Sequence, residues 1–410
     1  MVLMNRTRSL RTKALPMYSQ KASLYPSSRC SACAGRDPVP GSRGLSNDGG
    51  MLDPGLRRDD GLLMKLMTAM LVLFLAMTTA NSVQAADHTL KFATLAPPGS
   101  TWMNLLEDWG REVERRSEGR LELKFYPGGV QGDEPDVLRK IRYRQLDGAA
   151  FTGYGIGSIH SPARVLEFPF LFDSYEEIDH VRTELMPEIE AGFRDNGYEL
   201  LGWMEVGFVY FFSQQRIEDF EDLKERRIWL WQGDPLGQAM FAAGDLAPVP
   251  LSITDVYTSL STGLIDTVYC TPLAAIALQW HTRLDYMSRL PMANGIGALV
   301  VARRFFDQLP PDLQQLLRET GAEASRELIR ATREDNATSL EVLREEGMEF
   351  VMPPESLDRD ALLEMRDQAA AQLTEDSYIP RSLYERTREL LTEYRSAPAE
   401  GTTATHSAHD

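Results

Sequence analysis

The chain has 410 residues, with 43 Lys and Arg against 60 Asp and Glu, so its formal net charge at pH 7 is −17. Such an acidic surface favours solubility and speaks against nucleic acid and anionic membranes as partners. The six histidines are few and scattered, so a metal site is not expected.

Residues 64–85 have the pattern of a secretory signal. Lys65 is followed by no charged residue until Asp87, and the stretch between them begins with an apolar block. A positive start, an apolar core and the small-residue ending Val-Gln-Ala at 83–85 are the parts of a cleaved export signal. The apolar block is shorter than the about 20 residues that span a bilayer, which favours cleavage over anchoring. We therefore expect a working protein that begins near Ala86 and acts outside the cytoplasm.

The segment 1–63 precedes this signal and is rich in Arg, Ser, Gly and Pro, without the period of a strand or a helix. Because a signal is expected at the N-terminus, we interpret this segment as a spurious or disordered extension. Residues 1–86 hold 11 Lys and Arg against 5 Asp and Glu, which leaves about −23 for the mature chain. Cys30 and Cys33 also lie there, so only Cys270 remains and no intramolecular disulfide is expected.

The mature chain is long enough for two domains and opens with a strand, a helix and a strand. Alternating apolar residues predict strands at 90–94 and 121–125. Between them, apolar residues from Trp102 to Val113 recur at helical spacing, and Ser100 or Thr101 is the expected N-cap. A βαβ unit of this length predicts an α/β fold with a parallel sheet.

Two later segments share one arrangement, in which a helix passes through a short turn containing Asp into an apolar strand. They are 137–151 and 256–270, and their likeness predicts two lobes of related α/β architecture. The region 309–395 is mostly charged amphipathic helix, whereas 396–410 is small and polar and is expected to be disordered.

The sequence contains no G-x-S-x-G elbow, P-loop, H-E-x-x-H motif or G-x-G-x-x-G behind a strand. The glycine-rich segment 153–157 has the wrong spacing for a dinucleotide loop. Asp133 and Glu134 would suit an acid–base pair, but adjacent acids are common in so acidic a chain. Cys270 has no histidine placed to activate it and is better explained as a small buried residue. We therefore expect no enzyme and no cofactor.

Aromatic residues concentrate in two strand-like segments, 203–212 and 227–235. Alternation places Trp229 and Trp231 on one face of the second segment. Core packing would explain any one of these rings, but the group, with a few polar residues beside it, is typical of a small-molecule site.

Five segments carry a family resemblance, namely 121–132 (Leu-Glu-Leu-Lys-Phe-Tyr-Pro-Gly-Gly-Val-Gln-Gly), 167–172, 197–203, 221–224 with the strand after it, and 255–266. In this order they resemble the DctP family, the solute-binding proteins of tripartite ATP-independent periplasmic (TRAP) transporters. The resemblance implies an α/β, type II-like periplasmic binding protein with two lobes, hinge strands and a long bracing helix. It also implies a periplasmic receptor that hands a small-molecule ligand to TRAP permease membrane subunits.

By this analogy, lobe I comprises 87–206 plus 295–334, and lobe II comprises 207–294 plus 335–395. These two names denote the same ranges throughout. The ligand would lie between the lobes and stabilise their closed arrangement, which requires no catalytic chemistry.

Four positions depart from the family members that bind carboxylates. Trp229 stands where the strand usually carries an Arg that pairs with a ligand carboxylate, and Val209 stands at a second common Arg position. Cys270 replaces a common Asn, and Ile253 replaces a pocket Phe.

The resemblance and its departures together predict a ligand with substantial apolar surface, because burying a carboxylate without a cation is costly. The predicted binding residues are Trp229, Trp231, Val209, Phe211, Tyr154, Cys270, Ile253, Gln232 and Asp234. One alternative is an ordinary organic acid held by backbone amides and an Arg from elsewhere, or through a metal ion. Another is a binding protein that serves a sensor kinase. Arg226 and Arg227 fall out of register and are expected at the surface.

Overall fold

A computed structural model describes residues 67, 70, 86–354 and 358–396. The chain divides into two compact units, Met1–Ala80 and Asn81–Asp410, and in the first only Met67 and Met70 are described, as exposed helical residues. The predicted extension, nearly all of the predicted signal and the tail beyond Ser396 lie outside the described residues. Within the described ranges, no helix combines the length and apolar character that crossing a membrane requires.

The strands are, in chain order, β1 (His88–Thr94), β2 (Leu121–Tyr126), β3 (Gly148–Thr152), β4 (Tyr198–Ser213), β5 (Trp229–Trp231), β6 (Val249–Leu251), β7 (Thr267–Cys270), β8 (Tyr286–Ser288), β9 (Ala293–Ala302) and β10 (Glu349–Val351). The α-helices are α1 (Thr101–Arg116), α2 (Glu134–Arg142), α3 (Gly153–Ile159), α4 (Tyr175–Asp195), α5 (Pro235–Ala243), α6 (Val256–Thr262), α7 (Pro272–Ala277), α8 (Arg303–Phe306), α9 (Pro311–Glu345), α10 (Arg359–Glu375) and α11 (Arg381–Ser396).

The first three elements form the predicted βαβ unit. β1 pairs in parallel with β2 from His88 opposite Leu121 onward. The Ser100 hydroxyl caps α1 by accepting a hydrogen bond from the Met103 N–H at 3.3 Å, because the first N–H groups of a helix have no partner within it. The apolar stripe of α1 then packs against the sheet, with Val113 fully buried.

The main sheet has the strand order β10-β8-β4-β9-β3-β1-β2, and β7 also pairs with β4. The 16-residue strand β4 joins its two halves. Residues 198–209 pair with β9, and residues 210–213 pair with β7. A separate two-stranded sheet is formed by β5 and β6. Since β4 belongs to both halves, it is one of the expected hinge strands.

The register of β4 against β9 shifts between Glu205 and Gly207, which is where the two predicted lobes meet. Gly207 has a φ of +104°, and a Cβ at this position would come within 2.4 Å of Asn336 Nδ2. Both the backbone conformation and the close approach therefore require glycine. Asn336 donates to the Val206 carbonyl at 2.9 Å and accepts from the Leu273 N–H at 3.1 Å, so it connects β4 with α7.

The 35-residue helix α9 is the predicted bracing helix. In lobe I, its Thr320 and Thr332 hydroxyls accept hydrogen bonds from the indole N–H groups of Trp109, at 3.1 Å, and Trp102, at 2.7 Å. Towards its end, Leu343 is fully buried in the apolar cluster that includes β5 and β7. The helix therefore packs against both halves of the structure.

The last helices belong to the range 335–395, which the predicted division assigns to lobe II. Helix α10 packs on α5 of lobe II, but α11 contacts α4 of lobe I. The contact of α11 with α4 is apolar, since Leu383 and Leu391 are buried in the same core cluster as Phe193 of α4. Helix α11 therefore packs on an element that the prediction places in lobe I.

Candidate functional site

A cavity of about 210 Å³ is lined by residues from both lobes. Its wall includes six large aromatic side chains, Trp102, Tyr154, Trp229, Trp231, Tyr269 and Trp280. Four of the chain's six tryptophans therefore contact the space that a ligand would occupy. A concave, largely apolar site with few polar groups is typical of small-molecule binding.

Trp229 lies at the centre of this aromatic wall. Its ring stacks on Tyr269 at 4.9 Å between centroids with 18° between the planes, and meets Trp280 edge-on at 5.4 Å. The indole N–H donates to the Leu251 carbonyl at 3.0 Å. Because its polar group has a protein partner, Trp229 offers a ligand apolar ring surface.

Trp231 and Tyr154 face each other across the two lobes. Their ring centroids are 5.5 Å apart, and the Tyr154 hydroxyl donates to the Gln232 carbonyl at 3.0 Å. The Trp231 indole N–H reaches Asp133 of lobe I, 3.0 Å from Oδ2. These contacts close one side of the cavity.

Asp133 is the main acceptor in this closure. Besides Trp231, it accepts hydrogen bonds from the Ser252 hydroxyl at 2.7 Å and the Ile253 N–H at 3.2 Å. It also caps α2 by accepting from the Glu134 N–H at 2.7 Å. One carboxylate of lobe I thus accepts hydrogen bonds from three donors of lobe II. This structural role accounts for an acidic residue at position 133, and no catalytic role is needed.

Glu134, the other half of the adjacent acidic pair, points inside lobe I. It accepts hydrogen bonds from the backbone N–H groups of Thr152 and Gly155, each at 2.6 Å. Burial raises the pKa of Glu134 to about 8, against the opposing effect of these hydrogen bonds. It holds α2 against β3 and the start of α3.

Arg164, which sequence reasoning missed, is buried in the cavity wall. Its Nε lies 2.5 Å from Glu167, and its terminal nitrogens form a two-point contact with both oxygens of Asp234. Glu167 also accepts from the Ile296 N–H at 2.9 Å, and Asp234 caps α5. The pair of Arg164 and Glu167, three residues apart in an otherwise apolar segment, is the signal that would have indicated a buried ion pair.

The polar part of the wall carries more negative than positive charge. Among the described residues lining the cavity, Arg164 is the sole Arg or Lys, and it contacts the carboxylates of Asp234 and Glu167. Burial by itself would lower the pKa of Arg164, but these two carboxylates raise it well above its usual range. Burial raises the pKa of Glu167. A ligand carboxylate that approached this guanidinium would therefore also meet the carboxylates of Asp234 and Glu167.

The structure brings seven of the nine predicted binding residues to the cavity wall, namely Tyr154, Val209, Trp229, Trp231, Asp234, Ile253 and Cys270. Burial raises the pKa of the Cys270 thiol, so this residue presents a neutral sulfur atom.

The other two predicted residues lie elsewhere. Phe211 is buried in a neighbouring core cluster with Phe220; it follows Val209 on the same face of β4 but lies beyond the cavity lining. The Gln232 side chain is exposed, and only its backbone carbonyl takes part in the closure, through Tyr154. As expected, Arg227 is at the surface, paired with Asp266 at 3.0 Å.

Groups of three or more His, Cys, Asp or Glu arranged to hold a metal ion do not occur in the described part of the chain. Asp133, Glu167 and Asp234 each have hydrogen-bond or ion-pair partners from the protein itself.

Residues 92–376 match the family DctP, described as bacterial extracellular solute-binding protein, family 7. The chain belongs to this family. The match includes both lobes and the cavity wall, and it confirms the resemblance carried by the five sequence segments. Membership makes the protein a bacterial extracellular solute-binding protein.

Relatives by sequence carry the same description. A solute-binding protein of Chromohalobacter salexigens is 26% identical over 261 residues, which are 63% of this chain and 77% of the relative. The 2,3-diketo-L-gulonate-binding periplasmic protein YiaO of Escherichia coli is 23% identical over 301 residues, which are 73% of this chain and 90% of that protein. Both are binding proteins.

Solved structures show the fold. A TRAP periplasmic solute-binding protein of Roseobacter denitrificans, with bound L-galactonate, has a TM-score of 0.66 and 20% identity over 75% of this chain and 99% of its own. A protein of the same class from Chromohalobacter salexigens, with bound D-glucuronate, has a TM-score of 0.67 and 22% identity over 73% of this chain and 99% of its own. The two-lobed fold predicted from sequence is confirmed.

Proposed function

We propose that this receptor is exported by cleavage after Ala85 and captures a small ligand with substantial apolar surface between its lobes. It then delivers the ligand to TRAP membrane subunits and performs no reaction of its own. Supporting this are the family membership, the aromatic cavity and the signal pattern at 64–85.

Closure follows from contacts that only the closed arrangement makes. Asp133, Tyr154 and Arg164 of lobe I all reach partners in lobe II. Each group would be solvated by water in an open form, so these contacts alone give a modest preference for closure. A ligand that touches both lobes adds interactions present only in the closed state and shifts the equilibrium.

The state of Arg164 carries the proposal of an apolar ligand. This guanidinium already has buried carboxylate partners, and the rest of the wall is mostly aromatic and aliphatic. An anionic ligand would lie beside the carboxylates of Asp234 and Glu167 in a buried site, whereas an apolar ligand gains by leaving water.

Tryptophan emission of the exported protein tests this directly. We expect saturable changes with phenyl-substituted alkyl amides, and none with D-glucuronate or sialic acid at the same concentrations. Trp229→Arg places a cation in the aromatic wall. It should reduce the affinity for the phenyl compounds by about tenfold or more and increase the affinity for D-glucuronate. Trp109→Phe, outside the cavity, is the matched control. A response to D-glucuronate or sialic acid alone, with none to apolar compounds, would refute the ligand class.

A second candidate is an organic acid bound through Arg164, favoured by the position of this residue in the wall and by the sugar acids bound to the structural neighbours. It predicts that the unmodified protein binds D-glucuronate and that Arg164→Met abolishes this binding, while Arg227→Met at the surface does not.

Export and delivery need their own tests. The mass of the periplasmic protein should correspond to a chain that begins at Ala86. A strain without the TRAP membrane subunits should lose uptake of the ligand while the receptor still binds it. If uptake persisted and a sensor kinase responded instead, the receptor would serve sensing.

A further inference from the structure

A second, smaller cavity of about 80 Å³, here called the inner chamber, adjoins the ligand cavity. The two share six lining residues, Arg164, Glu167, Val209, Asp234, Tyr269 and Gly295. Beyond this shared wall, the chamber is enclosed mainly by apolar side chains of α5 and by the start of β9. The Arg164 cluster therefore has a cavity on each of two sides.

Asn294 of β9 lines this chamber and is 1% exposed. Its backbone pairs with Phe208 of β4, but neither side-chain polar atom has a hydrogen-bond partner within the described part of the protein. Buried amides without partners are rare in folded proteins, because the group has given up water and gained nothing in return. Trp203 and His160 also carry a buried unpaired nitrogen, yet neither lines either cavity.

The size of the chamber admits part of a ligand. One water molecule needs about 10–15 Å³ of such space. The chamber offers about 80 Å³, enough for a short chain segment with a terminal polar group. Its position next to the aromatic cavity places the Asn294 amide at the far end of a ligand whose apolar part lies against Trp229.

We propose that the inner chamber is a second subsite of the ligand site, in which the Asn294 amide binds a neutral hydroxyl or carboxamide group at the end of an apolar ligand. This rests on the proposed apolar ligand class. The Asn amide both donates and accepts, as a hydroxyl or a carboxamide does.

The charges around the chamber exclude an anionic end group. Glu167 and Asp234 both face this space, and Arg164 is the cation that balances them. A ligand carboxylate here would meet two protein carboxylates and no free cation, so its lost hydration would go uncompensated.

Two probes that differ in one terminal group test the proposal. The exported protein is titrated calorimetrically with 4-phenylbutanamide and 4-phenylbutanoate. We expect the amide to bind at least about tenfold more tightly than the carboxylate. Asn294→Leu should reduce amide affinity by about tenfold and change carboxylate affinity by less than about threefold. Asn104→Leu, at an exposed amide on α1, should change neither.

Thermal unfolding of the ligand-free protein separates binding from a structural role. Asn294→Leu should unfold at the same temperature as the parent or above it, because it removes a buried amide that has no partner. A lower unfolding temperature together with unchanged amide affinity would mean that Asn294 has a structural role only, and would overturn the subsite. If the Leu variant does not fold, Asn294→Ala is subject to the same affinity criteria.

The outcomes distinguish the two proposals. If both probes bind, but equally and independently of Asn294, the subsite is wrong and the apolar ligand class stands. If neither probe binds while D-glucuronate does, the ligand class is wrong and the subsite falls with it.

Discussion

Two clusters in this receptor each have an arginine that pairs with two carboxylates, but one lies between the lobes and the other lies within one lobe. At the cavity, Arg164 pairs with Glu167 in lobe I and with Asp234 in lobe II. At the hinge, Arg333 of α9 pairs with Glu205 of β4, at 2.6 Å, and with Asp179 of α4, at 2.8 Å. The first cluster joins the two lobes, whereas the second joins three elements of one lobe.

Burial and charge also differ between the clusters. The three cavity side chains are each under 10% exposed, but at the hinge Arg333 is 24% and Asp179 is 39% exposed. Arg182 also pairs with Asp179 at 2.7 Å, so the hinge cluster is neutral where the cavity cluster has an excess negative charge. We infer that the hinge cluster holds three elements of lobe I together in both the open and the closed form. The cavity cluster forms when the lobes close and breaks when they open.

The largest effect is expected from Asp234→Asn, which keeps the cap of α5 but removes a carboxylate from Arg164. Arg164 keeps Glu167, but the amide NH2 of Asn cannot accept from it, so a buried charge-assisted hydrogen bond across the lobes is lost. The free energy of unfolding should fall by about 3 kcal/mol, measured by urea denaturation. Ligand affinity should change as well, because the pair spans the lobes. Unchanged affinity would remove the distinction between the clusters.

Arg333→Met should lower the free energy of unfolding by less, about 2 kcal/mol, because Asp179 still pairs with Arg182 and is partly exposed to water. Most of this cost comes from Glu205, which is fully buried and whose pKa burial already raises. Adding Glu205→Gln should restore part of the lost stability. Ligand affinity should stay within about twofold of the parent. A shift as large as that of Asp234→Asn would show that the hinge cluster also takes part in closure.

Glu134 predicts a pH dependence that belongs to lobe I alone. Its pKa is about 8 in the folded protein and near 4.5 in the unfolded chain, so folding takes up a proton between these values. Its stabilising contribution is therefore complete below about pH 4.5 and is lost as pH rises towards 8. From about pH 5.5 to about pH 7 the parent should lose about 2 kcal/mol relative to Glu134→Gln. Parallel stability curves for the two proteins would contradict the raised pKa.

The smallest effect concerns closure on the other side of the cavity. Ser252→Ala removes one of the three lobe II donors to Asp133, a loss of about 1 kcal/mol that acts only in the closed form. Ligand affinity should fall by about threefold to tenfold, with little change in unfolding. Ser261→Ala, at an exposed hydroxyl on α6, is the matched control. Equal affinities for both variants would mean that the contact between Ser252 and Asp133 does not contribute to closure.

Local patterns in the sequence predicted much of this molecule. The Ser100 cap, the stripe of α1 and the βαβ unit follow from residues close to one another in the chain, where spacing decides which faces are apolar. Alternation also placed Trp229 and Trp231 together on one face, and both line the cavity. The same patterns could not show that Phe211 faces a core, since both faces of β4 are buried and apolar.

What the sequence determined by itself was the architecture and the aromatic character of the site, because periodicity and chain order are local properties. The tertiary structure decided how the charges are paired. Arg164 meets Asp234 from 70 residues away, and Asp133 meets Trp231 from 98 residues away. Such partners are chosen by the packing of whole elements, and burial then makes each pairing obligatory, since an unpaired charge there is costly. The sequence predicted a cavity without a cation, whereas the structure places Arg164 in the cavity wall, paired with the carboxylates of Glu167 and Asp234.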